Sequence, residues 1–185
     1  MQGNWDPPYL PEAAIIAKAA RIRLALFDVD GVMTDGKLHF SDAGEELKVF
    51  NVYDGHGIVL LTGAGIATGV ITARQSTAVE QRTRELGINH VLSGCRDKLP
   101  AFQELIRKLE VPAEACAYVG DDLVDLPVMR RCGLSITVRN ANHVVKRAAD
   151  WTTPSTGGNG AVREVCELIL CAQQKFDACV GAYLR

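Results

Sequence analysis

Apolar residues along this chain fall into short unbroken runs, separated by stretches where they recur every three or four positions. Leu24-Ala25-Leu26-Phe27, Ala67–Ile71, Asn89–Leu92, Cys116–Val119 and Leu134–Val138 are the runs. Continuous apolar character of that length predicts strands buried on both faces. Between them the spacing is helical. Glu12 to Ala20 predicts a short amphipathic helix, residues 76–86 set Val79, Arg82 and Leu86 in register, and residues 97–109 line up Leu99, Phe102, Leu105, Ile106 and Leu109. Residues 123–132 predict another helix after an acidic start. Strands alternating with helices imply an α/β fold, a mainly parallel sheet flanked by helices. Right-handed crossovers then bring the carboxyl ends of the strands to one edge.

One segment departs from that rhythm. Lys37-Leu38-His39-Phe40 and Leu47-Lys48-Val49-Phe50 alternate, with the turn residues Asp42-Ala43-Gly44-Glu45 between them, which predicts a β-hairpin insertion over 37–50. Thr156-Gly157-Gly158-Asn159-Gly160 reads as a flexible loop before a long final helix. In that helix Ala161, Val165, Leu168, Ala172, Phe176, Cys179 and Tyr183 form a stripe, able to anchor on its own core or on a neighbour. Glycines 157, 158 and 160 would let the backbone approach a ligand. With 185 residues, one domain over 1–185 is the expectation, its tail and last helix spanning 155–185.

Composition narrows the partners. A net charge of -2 with no large Lys/Arg cluster argues against nucleic acid. No run nears the length of a membrane span, and Asp6-Pro7-Pro8 does not suit a signal peptide, so a cytoplasmic protein is expected. The six cysteines include no C-x-x-C pair, so they read as thiols packed in a reducing compartment rather than a zinc site. His56 is given no chemical role.

The chemistry lies in two acidic clusters. Asp28-Val29-Asp30-Gly31-Val32-Met33-Thr34-Asp35-Gly36 follows the first buried run, and Gly120-Asp121-Asp122-Leu123-Val124-Asp125 follows Ala117-Tyr118-Val119. In a parallel sheet both emerge at the same edge, where Asp28, Asp30, Asp121 and Asp125 would crowd together. Crowded carboxylates are costly unless a cation sits among them, and an all-oxygen ligand set suits Mg²⁺. Asp122 alone could cap a helix, but capping does not need three acids. Thr72 ends another strand. Lys98 starts a helix, an unfavourable place for a cation unless it faces an anion.

The order Asp-x-Asp, Thr, Lys, Gly-Asp-Asp-x-x-Asp resembles the haloacid dehalogenase-like hydrolase superfamily. That resemblance implies a Rossmann-like core and an aspartyl-phosphate mechanism: Asp28 as nucleophile, Asp30 as acid and then base, and Thr72 and Lys98 on the phosphoryl oxygens. Asp28, the Asp30 backbone carbonyl and Asp121 would hold Mg²⁺. A closer resemblance runs over about residues 14–184. Asp-Val-Asp-Gly-Val-x-Thr-Asp-Gly, Gly-Glu-Glu-Leu-Lys-x-Phe-Asn-Val-x-Asp-Gly-x-Gly-Ile, Gly-Asp-Asp-Leu-x-Asp-x-Pro-Val-Met and Gly-Gly-x-Gly-Ala-Val-Arg-Glu-Val-Cys-Glu-Leu-Ile-Leu are similar to the 3-deoxy-D-manno-octulosonate 8-phosphate phosphatase family. It implies hydrolysis of that sugar-acid phosphate for lipopolysaccharide biosynthesis, no cap domain, and a homotetramer in which hairpins and tails of neighbouring subunits close the sites. Asn51, Val52, Tyr53, Asp54 and Gly55, with Asp30, Arg74, Arg82 and Lys98, would face the substrate by the same resemblance. From the residues alone, Asn51–Gly57 also reads as a turn entering a helix, and Arg82 as a solvated helix residue. Val59 and Tyr53 stand where relatives often carry basic residues, and Thr72-Ala73-Arg74 stands for the common Thr-Gly-Arg. A phosphatase for another sugar-acid phosphate, such as a nonulosonate 9-phosphate, is the alternative. A response-regulator-like switch also uses Asp, Thr and Lys, but expects its acid pair and its phosphoacceptor after different strands.

Overall fold

The computed structural model describes residues 6–44 and 46–184. Helix α1 (Ala13–Ala19) leads into strand β1 (Leu24–Phe27), and the predicted hairpin follows as β2 (His39–Phe40) and β3 (Glu46–Leu47), paired antiparallel. Glu45 of its turn lies outside the described residues, as do residues 1–5 and Arg185. Alternation then takes over with α2 (Val52–Gly63), β4 (Ala67–Ile71), α3 (Thr77–Glu85), β5 (His90–Leu92), α4 (Lys98–Leu109), β6 (Cys116–Gly120), α5 (Leu126–Met129), β7 (Leu134–Thr137), α6 (His143–Ala148) and β8 (Trp151–Thr152). Helices α7 (Ala161–Ala172) and α8 (Phe176–Gly181) end the chain.

Six strands form one sheet in the order β5-β4-β1-β6-β7-β8, every pairing parallel. The two-residue period of a strand explains why β1 reads as unbroken apolar sequence. Leu24 and Leu26 point into a core with Phe102 and Leu105 of α4, Val128 of α5 and Val145 of α6. Ala25 and Phe27 point the other way, into a core with Ile15, Ile58, Leu61, Val165, Leu168 and Ile169. From β1 the chain builds outward through β4 and β5, then crosses to β6 and builds outward on the other side. The carboxyl ends of β1 and β6 therefore flank the point where the strand order reverses, the place where open α/β sheets bind ligands.

Two expectations change. The stripe from Ala161 to Tyr183 is not one helix: α7 stops at Ala172 and α8 restarts at Phe176, with Gln174 between them in the left-handed region at φ 56°. Ala161, Val162, Val165, Cys166, Leu168 and Ile169 are buried in the subunit's own core, where α7 packs along α2. Residues 123–132 form a 3-10 turn, Leu123–Asp125, before the four-residue α5. Helix α6 and strand β8 are too short to leave a periodic signal. Among the described residues no helix is long and apolar enough to cross a membrane.

Candidate active site

Register sets the site. Phe27 of β1 pairs with Val70 of β4 and Val119 of β6, and the Asp28 N–H continues the ladder by donating to the Val119 carbonyl at 2.9 Å. Asp28, Thr72 and Asp121 thus all lie just past that register, at one edge of the sheet. After Asp28 the chain winds tightly, Met33 N–H and Thr34 N–H both donating to the Val29 carbonyl. Gly31 sits at φ +94°, and a Cβ there would lie 2.1 Å from the Asp121 carboxylate. Its missing side chain is what allows the second acidic cluster to close on the first.

Lys98, the first residue of α4, explains its awkward position. Its Nζ lies 2.7 Å from Asp28 Oδ1 and 2.7 Å from Asp125 Oδ1, and the lysine is 1% exposed. Burial works against its charge, but Asp28 and Asp125 outweigh burial and raise its pKa. Asp125, wholly buried, is saturated. Oδ1 also accepts from the Tyr118 hydroxyl at 2.7 Å, and Oδ2 accepts the backbone N–H groups of Asp121 and Asp122 at 3.0 and 3.2 Å. A fully paired buried carboxylate of this kind is a structural anchor.

The remaining acids lack such satisfaction. Burial, with repulsion from Asp125 and against the pull of Lys98, pushes Asp28 up to about 6. Burial, then repulsion from Asp28, Asp125 and Asp122, pushes Asp121 up to about 7. Carboxylate oxygens of Asp28, Asp121 and Asp125 come within 4.8 Å of one another, a spacing that suits a metal ion. Because Asp125 has no free oxygen, the side chains able to ligate are Asp28 and Asp121. Their oxygen-only chemistry and unrelieved repulsion fit Mg²⁺.

A second ionic group lies toward the hairpin. Lys48, its side chain 3% exposed, hydrogen-bonds Asp30 Oδ1 and sits 3.1 Å from Glu46 Oε1. Arg74 Nη2 is 3.1 Å from the same Glu46 oxygen, and its Nε is 3.9 Å from Asp30 Oδ2. Thr72 is buried, and its hydroxyl accepts the Arg74 N–H at 3.3 Å.

The expected substrate-facing segment divides. Asn51 caps α2, its side chain accepting the N–H groups of Tyr53 and Asp54. Val52 and Tyr53 are exposed. Asp54 and Gly55 turn inward. The Asp54 carboxylate caps α7 from outside that helix, accepting Arg163 N–H at 2.8 Å and Gly160 N–H at 3.2 Å. Burial raises its pKa against those amides. Gly55 lies beneath Arg82, whose Nη2 would be 2.2 Å from a Cβ there. Arg82 pairs with Glu85 at 3.3 Å, and its Nε is buried with no hydrogen-bond partner among the described residues. The glycine loop approaches the chain itself: a Cβ on Gly157 would meet the Gly31 carbonyl at 1.7 Å, and Gly158 N–H donates to the Val32 carbonyl at 2.9 Å. These glycines buttress the loop that carries Asp28 and Asp30. Two cysteines, Cys116 and Cys166, are buried and the other four partly so; burial pushes Cys116 and Cys132 up to about 12.

Sequence reasoning missed Tyr118, Glu46 and Lys48, and took Asp125 only as one more acid. Tyr118 was hidden inside an apolar run. Glu46 and Lys48 carried a signal, since they alternate with Leu47 and Val49, a pattern that predicts one shared face.

Comparison with known proteins extends this picture. The haloacid dehalogenase-like hydrolase family matches residues 84–165. The 3-deoxy-D-manno-octulosonate 8-phosphate phosphatase of Escherichia coli strain K12 is 48% identical over 169 residues, covering 91% of this chain and 90% of that protein. The phosphatase of the same name from Yersinia pestis is 47% identical over 177 residues, 95% of each. Among solved structures, the 3-deoxy-D-manno-octulosonate 8-phosphate phosphatase of Moraxella catarrhalis, in complex with magnesium, phosphate and 3-deoxy-D-manno-octulosonate, superposes with a TM-score of 0.92 at 44% identity. It covers 94% of this chain and 99% of that one.

Proposed function

This chain belongs to the 3-deoxy-D-manno-octulosonate 8-phosphate phosphatase family of haloacid dehalogenase-like hydrolases, and on that premise we propose that it hydrolyses 3-deoxy-D-manno-octulosonate 8-phosphate to the free sugar acid and phosphate. It is a phosphoric monoester hydrolase that uses Mg²⁺, and the sugar acid serves lipopolysaccharide biosynthesis. The observation that carries the reading is Asp28, held by Lys98 at the strand-order reversal and facing Asp121 across Gly31.

Asp28 attacks phosphorus, and the bond to the sugar O8 breaks as the aspartyl phosphate forms. Asp30 gives its proton to the leaving alkoxide, then takes one from the water that hydrolyses the intermediate. Lys98 fixes the Asp28 carboxylate, and with the Thr72 hydroxyl it neutralises and orients phosphoryl oxygens. The Asp28 and Asp121 carboxylates with the Asp30 backbone carbonyl hold Mg²⁺, which offsets negative charge around the phosphoryl group. Arg74 and Arg82, with Asn51, Val52 and Tyr53, present polar and apolar surface to the sugar acid. The whole chain, 1–185, acts as one capless domain. We place it in the cytoplasm as a homotetramer, and its exposed apolar residues Leu38, Phe40, Leu47 and Val49 offer a surface for contact between subunits.

Phosphate release from purified protein tests the reading, with 3-deoxy-D-manno-octulosonate 8-phosphate and a nonulosonate 9-phosphate compared at equal Mg²⁺. The eight-carbon substrate should have the higher kcat/KM. A preference for the nine-carbon one reassigns the substrate and leaves the phosphatase chemistry standing.

A further inference from the structure

We propose that Lys48 is a positioning residue for the proton transfer: it holds Asp30 by Oδ1 and so assigns the departing proton to Oδ2. This rests on Asp30 being the acid. Three observations carry it. The Lys48 side chain is 3% exposed, so its ammonium is committed to protein partners, and both are carboxylates, Asp30 and Glu46. It engages only one of the two Asp30 oxygens; the other, Oδ2, is 3.9 Å from Arg74 Nε, too far for a hydrogen bond. Finally, in β3 and the two residues after it burial alternates: Glu46 and Lys48 are partly buried, while Leu47 and Val49 are exposed.

A carboxyl group free to rotate would offer its proton from either oxygen and in several directions. Tethering Oδ1 leaves Oδ2 as the oxygen without a hydrogen bond, a preorganisation on which efficient acid catalysis depends. Glu46 shares the Lys48 ammonium and pairs with Arg74, so Lys48 is held in place by a second carboxylate when Asp30 carries its proton. In the first step the phosphorus–O8 bond breaks, the Asp28–phosphorus bond forms, and the proton on Asp30 Oδ2 passes to the leaving oxygen, returning Asp30 to carboxylate.

The test uses kcat/KM, which reports the step that expels the leaving group, over aryl phosphates of near-equal size, from p-nitrophenyl to p-methylphenyl. Lys48→Met should cost less than about threefold on p-nitrophenyl phosphate, whose phenolate leaves without a proton, and roughly 10- to 100-fold on p-methylphenyl phosphate. Lys48→Arg should recover most of that loss. In an Asp30→Asn background, Lys48→Met should change nothing further. Equal losses across the series, or additive losses in the double variant, would overturn the proposal, because a lysine that only staples the hairpin weakens all substrates alike. If Asp30→Asn by itself loses every aryl phosphate equally, the acid role of Asp30 falls first and this proposal falls with it.

Discussion

The two ionic groups of the site are built differently. In the group around Lys98, every member stands on or just beyond a central strand or a helix packed on it: Asp28 after β1, Asp125 in the turn after β6, and Tyr118, which bonds Asp125, in β6. All are buried, and the one acid not needed for chemistry, Asp125, is saturated by four donors. Around Lys48, two of the four members come from a hairpin of two-residue strands, and Arg74 is substantially exposed. The first group owes its geometry to the sheet and is bound up with folding. The second can change without touching the core. The comparison places the Asp28 carboxylate in the part built on the sheet and Asp30 beside the part built on the hairpin.

Four experiments bear on that contrast. The largest effect is expected for Asp28→Asn, an isosteric change inside the buried group. Steady phosphate release should fall roughly 10⁴-fold or more while the melting temperature holds or rises, since a neutral amide no longer repels Asp121. Retained turnover would place the nucleophile elsewhere.

Asp125→Ala tests whether the anchor belongs to folding. It strands the Lys98 ammonium and the Tyr118 hydroxyl in the core and should cost about 3–5 kcal/mol by urea unfolding. A loss below about 1 kcal/mol would mean the buried group is not structural.

Removing the cation and varying pH tests the repulsion directly. The folded-state pKa values of Asp28, about 6, and Asp121, about 7, lie above the usual carboxylate range. For such groups the contribution to stability is fully present below about pH 4 and lost as pH rises through 6 to 7. In excess chelator these two groups should therefore make the protein less stable at pH 8 than at pH 5. Mg²⁺ should raise the melting temperature more at pH 8, and its apparent affinity should weaken as pH drops through 7 to 6, where protons compete for the same oxygens. An Mg²⁺ affinity unchanged over that range would argue against Asp28 and Asp121 as ligands.

The smallest effect is expected for Glu46→Gln, in the hairpin group. Removing a partly buried carboxylate whose partner Arg74 is substantially exposed should change unfolding free energy by no more than about 1 kcal/mol. A cost comparable to that of Asp125→Ala would erase the distinction between the two groups.

Much of this was legible from residue order because the signals were local. The five apolar runs are five strands of the sheet, and a carboxylate, threonine or glycine-aspartate placed just after such a run must lie at its carboxyl edge. What was not legible depends on distant partners. Asp54 sits in a motif that suggests contact with substrate, yet its oxygens are taken by amides 106 and 109 residues further on. The glycines at 157 and 158 suggest access for a ligand, but the backbone they admit is that of residues 31–35. The stripe from Ala161 to Tyr183 kept its period across the break at Gln174, so spacing alone could not reveal that one helix is two.

The contact between Gly157-Gly158 and the Asp28 loop also sets a schedule. Asp28 is made early in synthesis, but the backbone that braces its loop follows more than a hundred residues later, and the amides that satisfy Asp54 later still. With domains growing from the N-terminus at roughly 5–20 residues per second, the nucleophile spends several seconds unbraced on the ribosome. A nascent chain that ends before residue 157 can pair β1 with β4 and β6, yet it lacks the Gly158 N–H bond to Val32 and the close packing of Gly157 on Gly31. The loop that carries the nucleophile therefore gains these braces only once residues 157 and 158 are free to fold back on it.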